Sequence, residues 1–306
     1  MKRLFVAIAA LGLSAAVAAA QDFNAAVDAF NAGAQALESN KAEALAKFQE
    51  ALPLFEACAE EEAAEKVAEC KRLIPNIILS LAKEQIKEAN FDGALDLLSQ
   101  AQAAAAQYGQ AETEADVKDL TPKVYTMKAN GLMKAKDFAN AIPVLQQVLA
   151  LNPEDGKTYM LLGQAQLQSG AMEEAIASLE KAGELGENTG KLLSTTYLKK
   201  GQALMKAGKN AEAIEALEKS NSYVESANAY KLIANIQTKS GKSALAIEAY
   251  KKYLEVDPNA KDAADILFTI AATAQKAGDK ATAKEYYGKL AGTKYAAQAE
   301  AQLKTL

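Results

Sequence analysis

The residue types that usually perform chemistry are scarce in this sequence. None of its 306 residues is a histidine, and histidine is the commonest general base and a leading metal ligand. Its absence excludes Ser–His and Cys–His nucleophiles and every histidine-containing zinc site. The acidic run Glu60-Glu61-Glu62 is typical of a solvated loop at a helix end, and the sequence has no phosphate-binding glycine loop or calcium loop. We therefore predict no catalytic, metal-binding or cofactor-binding residues, and a protein that is not an enzyme.

The two cysteines, Cys58 and Cys70, are twelve residues apart. On one continuous helix they would be ~18 Å apart, which is beyond the reach of a disulfide. If the chain turns near Glu60–Glu62, the two thiols lie on facing ends of two helices and can bond. A loop of that size would gain ~3 kcal/mol from the cross-link in the chain-entropy model. We predict this disulfide; two buried thiols are the alternative.

The first twenty residues have the three-part pattern of a secretory signal peptide. Met1-Lys2-Arg3 is basic, residues 4 to about 17 are apolar, and Ala18-Ala19-Ala20 supplies small residues at the cleavage positions. We predict cleavage near Ala20 and an exported protein, periplasmic or envelope-associated, that is soluble and has no transmembrane segment after cleavage. A retained membrane anchor is the alternative.

The charge of the chain excludes one class of partner. Removing the leader takes away two positive charges and no acid, so the formal net charge falls from −5 to −7. General binding to nucleic acids depends on a basic surface. We therefore predict that nucleic acid is not a partner.

The composition indicates helices that must position any binding residues. Half of the residues are hydrophobic, aromatic residues make up only 6%, and the whole chain has six prolines. Much of the hydrophobic half is alanine, the best helix former, and alternating Val/Ile/Thr runs are absent. The sequence therefore predicts stacked helices and no sheet.

A repeated frame explains most of the chain. It comprises Tyr159, Leu162, Gly163, Gly170, Ala175 and Leu179. The frame recurs as Tyr197, Gly201, Leu204, Gly208, Ala213 and Leu217, and again as Tyr230, Ile233, Ala234, Gly241, Ala246 and Tyr250. One alanine marks the second helix of each unit, with spacings of 50, 47, 34, 38, 33 and 37 residues: Ala44, Ala94, Ala141, Ala175, Ala213, Ala246 and Ala283.

This pattern resembles the tetratricopeptide repeat, a helix-turn-helix unit of about 34 residues. The resemblance implies an all-α fold, a right-handed solenoid of antiparallel helix pairs with about seven units. It also implies that Tyr125, Tyr159, Tyr197 and Tyr230 pack in the core, rather than forming a stacking ladder for sugars or bases. Departures from the pattern include Lys136, which replaces a turn glycine.

The spacing of the repeats predicts four segments. They are a signal peptide (1–20), irregular N-terminal helical repeats with the disulfide (21–115), regular repeats (116–292) and a C-terminal capping helix (293–306). The polar stretch 109–112 lies in a long connection between residues 100 and 122, where we expect a joint between the two sets of repeats.

The resemblance also indicates where a partner binds, because the first helix of each unit in this family faces a concave groove. The side chains at those positions are mainly Lys, Asn and Gln: Lys87, Lys123, Asn130, Lys134, Lys157, Gln164, Gln168, Gln202, Lys206, Lys231, Asn235, Lys239 and Lys276. The alternative interpretation is that lysines near helix C-termini offset the helix dipole.

The sequence therefore predicts a non-enzymatic protein–protein interaction scaffold of the cell envelope. It would bind an extended or helical segment of another protein, and an acidic segment would suit the lysines. The alternative is a glycan- or cell-wall-binding module on the same solenoid. Such a module favours exposed aromatic residues, tryptophan above all, and the chain has no tryptophan.

Overall fold

The computed structural model describes residues 23–58 and 61–306, and within those ranges the chain forms fifteen α-helices and no strand. The predicted signal peptide, residues 1–20, lies outside the described residues. The first six helices are α1 (Phe23–Ala36), α2 (Lys41–Ala57), α3 (Glu61–Lys87), α4 (Phe91–Tyr108), α5 (Ala111–Lys134) and α6 (Phe138–Leu151). The next nine are α7 (Gly156–Gln168), α8 (Met172–Glu184), α9 (Gly190–Lys206), α10 (Asn210–Tyr223), α11 (Ala227–Lys239), α12 (Ser243–Val256), α13 (Ala263–Lys276), α14 (Lys280–Gly288) and α15 (Ala296–Leu303).

Consecutive helices pack as antiparallel pairs, because only a few residues join the two helices of each pair. In the described part of the chain there are seven such pairs, from α1/α2 to α13/α14, and the single helix α15 follows them. The all-α helical-repeat solenoid with about seven units is therefore confirmed. In each pair we call the odd-numbered helix the first helix and the even-numbered helix the second.

The register of the second helices is set by one small residue. Each of the seven alanines that mark the repeat is the fourth residue of a second helix, and each is 0% exposed. A methyl group at this position lets the two helices of a pair approach closely, and burial there penalises any larger side chain. The alanine spacing in the sequence is therefore the spacing of the helix pairs.

Two glycines of the repeat frame mark even closer contacts within pairs. A Cβ atom added at Gly163 of α7 would lie 2.7 Å from Cγ of Leu179 on α8. At Gly201 of α9 the same atom would lie 2.7 Å from Cγ of Leu217 on α10. Because real side chains do not approach this closely, only glycine allows α7/α8 and α9/α10 to cross at these distances.

In six of the seven pairs, all but α1/α2, the turn between the two helices contains one left-handed residue. In α9/α10 this residue is Gly208, with a φ of 77°, and the next amide, that of Lys209, donates to the Leu204 carbonyl at 3.0 Å. The turn between α5 and α6 has the same geometry with Lys136 at a φ of 58°. A side chain in this conformation is strained by about 1 kcal/mol, since its Cβ crowds the following carbonyl.

The helices divide into two compact units, one ending at Pro153 and the other running from Glu154 to Leu306. Phenylalanines centre the core of the N-terminal unit: Phe48 and Phe55 are almost fully buried, and the ring of Phe30 meets Phe48 edge-on at 5.2 Å. The core of the C-terminal unit is built instead from aliphatic residues and buried tyrosines. The segment boundaries predicted near residues 115 and 292 follow repeat regularity, and they stay predictions.

The extra residues of the irregular repeats are helical. Helices α3 and α5 have 27 and 24 residues, and the stretch expected to be a long connection, residues 100–122, consists of the end of α4, a tight turn at Gly109 and the start of α5. A single left-handed glycine, φ 68°, ends α4 and is sufficient to reverse the chain. None of the described helices, long as some are, is apolar enough to cross a membrane.

The disulfide predicted between Cys58 and Cys70 is not confirmed. No bond joins the two sulfurs in the described residues; the Sγ of Cys58, just after α2, donates to the Leu54 carbonyl at 3.2 Å. Cys70 is a fully buried residue of α3, and burial raises the pKa of its thiol to about 11. A thiol with so high a pKa is protonated and unreactive at neutral pH.

Candidate protein-binding surface

All thirteen residues predicted to line a groove lie on first helices. The set, which we call the lysine face, comprises Lys87 on α3; Lys123, Asn130 and Lys134 on α5; Lys157, Gln164 and Gln168 on α7; Gln202 and Lys206 on α9; Lys231, Asn235 and Lys239 on α11; and Lys276 on α13. Within a helix its members are four or seven residues apart, as in Lys123, Asn130 and Lys134. That spacing aligns them on one side of the helix.

Five lysines of this face are the last residue of their helix: Lys87, Lys134, Lys206, Lys239 and Lys276. A cation at this position interacts favourably with the partial negative charge of the helix C-terminus. The same position presents the ammonium group at the end of the helix, where the side chain is exposed. The position of these lysines therefore fits both partner binding and compensation of the helix dipole. The contacts of each side chain provide a further comparison.

Three members of the lysine face have partners inside the protein. Lys123 pairs with Asp119 at 2.5 Å, one turn away on α5. The ammonium group of Lys231 pairs with Asp262, and Asn235 accepts a hydrogen bond of 2.8 Å from the hydroxyl of the buried Tyr250. The last two bonds join α11 to neighbouring helices, so these side chains contribute to the packing of the array.

The other ten have no side-chain hydrogen bond or ion pair with any residue in the described ranges. Among them, Lys206 and Lys239 lie on α9 and α11, two first helices that pack against each other in the C-terminal unit. Lysines elsewhere are often neutralised in place, as Lys200 is by Glu173 at 2.7 Å. The lysine face therefore has positive charge and amide groups that the protein itself does not use.

Sequence reasoning missed a group of tyrosines that bind carboxylates between helix pairs. Glu180 on α8 accepts hydrogen bonds of 2.9 Å from the hydroxyls of both Tyr197 on α9 and Tyr223 on α10, whose rings stack at 5.9 Å. Partial burial and the bond to Glu180 raise the pKa of both tyrosines, that of Tyr223 to about 12. The expectation that Tyr197 simply packs in the core omitted this polar contact, because Glu180 is seventeen residues away.

Two further carboxylates make the same kind of contact. Asp262, just before α13, accepts from Lys231 of α11 and from the hydroxyl of Tyr253 of α12, and these bonds hold the pKa of its carboxyl below the ordinary value. Asp265 pairs with Lys294 at 2.5 Å and accepts from Tyr295 at 2.6 Å, and its pKa is lowered for the same reason. These acids are therefore ionised and fully engaged in joining successive elements.

The described residues, 23–58 and 61–306, contain no group of three Cys, Asp or Glu side chains placed to hold a metal ion. Three described acids have a lowered pKa: Asp262 and Asp265 each face a lysine and a tyrosine of neighbouring elements, and Asp279 accepts hydrogen bonds from Thr282 in the first turn of α14. What the geometry offers is a repeated set of unpaired amines and amides. Such groups are able to bind a partner through charge and hydrogen bonding.

Comparison with known proteins identifies the repeats. Tetratricopeptide-repeat family models match residues 132–191 and 198–264. The α7/α8 pair falls within the first match and the α11/α12 pair within the second. These two stretches are tetratricopeptide repeats. No curated protein matches its sequence.

Several solved structures are similar to this chain. A crystal structure of MamA is 24% identical, covers 58% of this chain and 97% of its own, and gives a TM-score of 0.33. YrrB, described as a tetratricopeptide protein with an unusual peptide-binding site, is 19% identical with coverages of 64% and 97% and a TM-score of 0.35. PilW, a type IV pilus biogenesis factor, is 21% identical with coverages of 71% and 92% and a TM-score of 0.29. Similarity at this level says nothing about what this chain binds.

Proposed function

We propose that this protein is a non-enzymatic interaction scaffold of the cell envelope, exported by its N-terminal twenty residues. Its lysine face binds an extended or helical acidic segment of another protein in the concave groove that tetratricopeptide repeats form. The observation that supports this proposal is the set of ten Lys, Asn and Gln side chains on first helices that have no partner within the described chain.

The chemistry of the face suits a peptide with carboxylates. Lysines attract the side-chain carboxylates, and amides such as Gln164 and Gln202 can both donate to and accept from the peptide backbone. The C-terminal unit offers the densest set, since Lys206 and Lys239 belong to neighbouring helices and Lys276 ends the first helix of the next pair. A partner that spans these helices would gain from several weak contacts at once.

A charge-reversal experiment on the C-terminal unit tests this proposal. The test variant is the chain from Gln21 with Lys206→Glu, Lys239→Glu and Lys276→Glu. A matched control reverses three exposed lysines off the lysine face, Lys242→Glu, Lys261→Glu and Lys284→Glu, so that both proteins have the same net charge. Fluorescence anisotropy would compare the binding of acidic, neutral and basic peptides of about 15 residues by the two variants and the parent.

We expect the acidic peptides to bind the parent and the control, and to lose about tenfold or more in affinity with the test variant. Binding should also weaken as salt is added, because exposed charges are screened. Affinity that is unchanged in the test variant, or insensitive to salt, would show that the lysines only offset helix dipoles. A crosslinking pull-down from envelope fractions with the same baits would then identify the partner, and equal capture of wall glycan by all three would favour the glycan-binding alternative.

A further inference from the structure

A second charged surface lies at one edge of the C-terminal unit. Successive helices there run in opposite directions, so α9, α11 and α13 end at the same edge, and α10, α12 and α14 begin there. The three turns at this edge, which we call the turn edge, have two exposed lysines each: Lys206 and Lys209, Lys239 and Lys242, and Lys276 and Lys280.

The two edges of these three pairs have opposite charge. Each turn is counted from the last residue of one helix to the fourth residue of the next. The turn edge, residues 206–213, 239–246 and 276–283, has six lysines and two acids, a net charge of +4. The connections at the opposite edge are residues 184–193, 223–230 and 256–266, with six acids and two lysines, a net charge of −4.

Helix dipoles explain only half of the lysines at the turn edge. Three of them end first helices, where a cation is favourable. The other three start second helices: Lys209 and Lys242 are the N-caps of α10 and α12, and Lys280 is the first residue of α14. A cation there is repelled by the partial positive charge of the helix N-terminus. In the same unit α8 has the acids that the dipole favours, Glu173 and Glu174.

Lysine is also a poor N-cap. In four other second helices the N-cap is Asn or Asp, whose side chain accepts a hydrogen bond from an amide of the first turn: Asn40, Asn90, Asp137 and Asp279. Lys209 and Lys242 make no such bond, so capping as well as charge disfavours them for helix stability. Residues that break a local rule without a stabilising return point to function.

The protein itself neutralises little of this charge. Lys242 has no ion pair or side-chain hydrogen bond within the described ranges. Lys209 pairs with Glu212 at 3.3 Å, but both side chains are more than half exposed, and such pairs are weak. Lys280 donates to the carbonyl oxygen of Leu306 at 3.4 Å.

The turns do not form a pocket for a single anion. The amides of Lys209, Lys242 and Asp279 donate to carbonyls of the preceding helix at 2.9 to 3.0 Å, so they are not available to hold a phosphate. Alanine, serine and glycine separate the two lysines of the α9/α10 and α11/α12 turns, so the ammonium groups stand above a low backbone. This arrangement suits a surface with many anionic groups.

An apolar side chain lies beside these lysines. Leu245 is the third residue of α12, in the first turn after Lys242, and it is 46% exposed. The equivalent residue of α10 is Glu212, and that of α14 is Thr282. Lysines next to an exposed leucine are the side chains that bind the interface of a membrane, where charge and apolar groups meet.

We propose that the turn edge binds the surface of a lipid bilayer that contains anionic lipids. The six lysines face the lipid phosphates, and Leu245 inserts at the boundary between headgroups and acyl chains. Neighbouring helices are ~10 Å apart, so the three turns meet several lipids at once. The acidic edge faces away from the membrane. Lys209, Lys242, Lys280 and Leu245 are not part of the lysine face, so this inference goes beyond partner binding by that face.

The test is sedimentation with vesicles of phosphatidylcholine alone or with about 30% phosphatidylglycerol, because the attraction depends on anionic lipid. The protein is the chain from Gln21, which includes every described residue and lacks the apolar leader that would bind lipid itself. The test variant combines Lys209→Gln, Lys242→Gln and Lys280→Gln. Leu245→Gln is a separate variant.

The matched control combines Lys191→Gln, Lys252→Gln and Lys261→Gln, three exposed lysines towards the opposite edge. It has the same net charge as the test variant, and Lys252 pairs with Glu255 three residues later, as Lys209 does with Glu212. Circular dichroism melting would check the fold. The test variant should be at least as stable as the parent, because the lysines that it removes oppose the helix dipole.

We expect the parent and the control to bind the anionic vesicles and to release them as salt is added. The test variant should bind about tenfold more weakly, and Leu245→Gln should also weaken binding. Equal binding by the test variant and the control, equal binding to phosphatidylcholine alone, or no binding of the parent would overturn the proposal. So would release by millimolar inorganic phosphate, which would indicate a site for a single anion.

The acidic-peptide assay separates this proposal from the proposed function. The test variant keeps Lys206, Lys239 and Lys276, and it should bind the acidic peptides as the parent does. If it lost peptide affinity as much as vesicle affinity, the turn edge would only extend the lysine face, and the membrane proposal would be wrong. Failure of the parent to bind vesicles, with peptide binding intact, would reject the membrane surface and leave the lysine face.

Discussion

The two units of the protein build helix pairs from the same frame but stabilise them differently. The N-terminal unit has helices of 14 to 27 residues around a cluster of phenylalanines. The C-terminal unit has helices of 8 to 17 residues, and its successive elements are joined by tyrosine hydroxyls bonded to carboxylates. In the described part of the N-terminal unit, no tyrosine hydroxyl makes such a bond.

This difference shows what regular repeat length does. When the helices of successive pairs match in length, each pair covers the next, and polar side chains can link one pair to the next. When a helix is several turns longer than its partner, as α5 is beside α6, the partner does not cover the extra turns. Neighbouring helices of unequal length therefore leave an open groove, whereas helices of equal length form a closely packed surface on which the helix ends are exposed.

The largest effect should come from removing the phenylalanine core. Phe48 is 0% exposed and contacts Phe30, so Phe48→Ala leaves a cavity and should lower the free energy of unfolding by about 3–5 kcal/mol. Hydrogen exchange by mass spectrometry should show lost protection in α1 to α4. Leu217→Ala is the counterpart in the C-terminal unit and should expose α9 to α12 instead. If either substitution reduced protection from hydrogen exchange equally in both units, the two units would not have separate cores.

A smaller effect should come from breaking one polar link. Tyr253 is 6% exposed, and Tyr253→Phe removes its hydrogen bond to Asp262. We expect a loss of about 1–2 kcal/mol in chemical denaturation at pH 7, since the acceptor is charged. Tyr230→Phe is the control: its hydroxyl donates to the exposed Glu225, and its removal should cost little.

The same link predicts a dependence of stability on pH. The pKa of Asp262 is lowered in the folded protein because Lys231 and Tyr253 donate to its charged form. The stabilisation is therefore fully present above the ordinary carboxyl pKa, about 4, and is lost as pH falls through the lower folded value. Between pH 5 and pH 2, Tyr253→Phe should lose stability less steeply than the parent. If the parent and the variant lost stability equally steeply over this pH range, the Tyr253 hydroxyl would not contribute to the lowered pKa of Asp262.

The smallest effect concerns the turns. In the turns within its helix pairs the C-terminal unit has left-handed glycines, as at Gly208, whereas the N-terminal unit has Ala89 and Lys136 at this position. Lys136→Gly should relieve strain and raise the melting temperature slightly, by a stabilisation of up to about 1 kcal/mol. Ala135→Gly is the matched control, because Ala135 has an ordinary helical φ of −73°, and it should destabilise. A lower melting temperature for Lys136→Gly would mean that its side chain has a role that outweighs the strain.

The fold could be read from the sequence because one steric requirement recurs. Ala44, Ala141 and Ala246 are far apart in the chain, yet each is the fourth residue of a second helix, where only a small side chain fits. The same logic placed the lysine face on first helices. Positions that repeat for a physical reason are visible in one sequence, without any knowledge of tertiary contacts.

Features that depend on contacts between distant residues could not be read in this way. Asp262 meets Lys231, 31 residues earlier, only after α11 and α13 have packed. The groove between α4 and α5 depends on where α6 ends relative to α5. Residues 100 to 122 were expected to form a connection because the polar stretch 109–112 interrupts this part of the sequence. The alanine-rich helix α4 continues up to that glycine instead, since alanine favours helix strongly and one left-handed residue completes the turn.

The close contacts at Gly163 and Gly201 also fix the distance between the two helices in two pairs of the C-terminal unit. A Cβ atom built at either glycine would lie 2.7 Å from Cγ of the facing leucine, so the helices of α7/α8 and of α9/α10 cross at matching separations. A single added methyl at Gly201 would push α9 off α10 and tilt the pair. Helices α11 to α14 pack in sequence after α10, so a small tilt of α9 against α10 would displace each later helix further than the one before. Lys239 and Lys276 would therefore move together. The positions of the lysines that would contact a partner protein are thus set in part by Gly201, an uncharged residue that does not contact the partner.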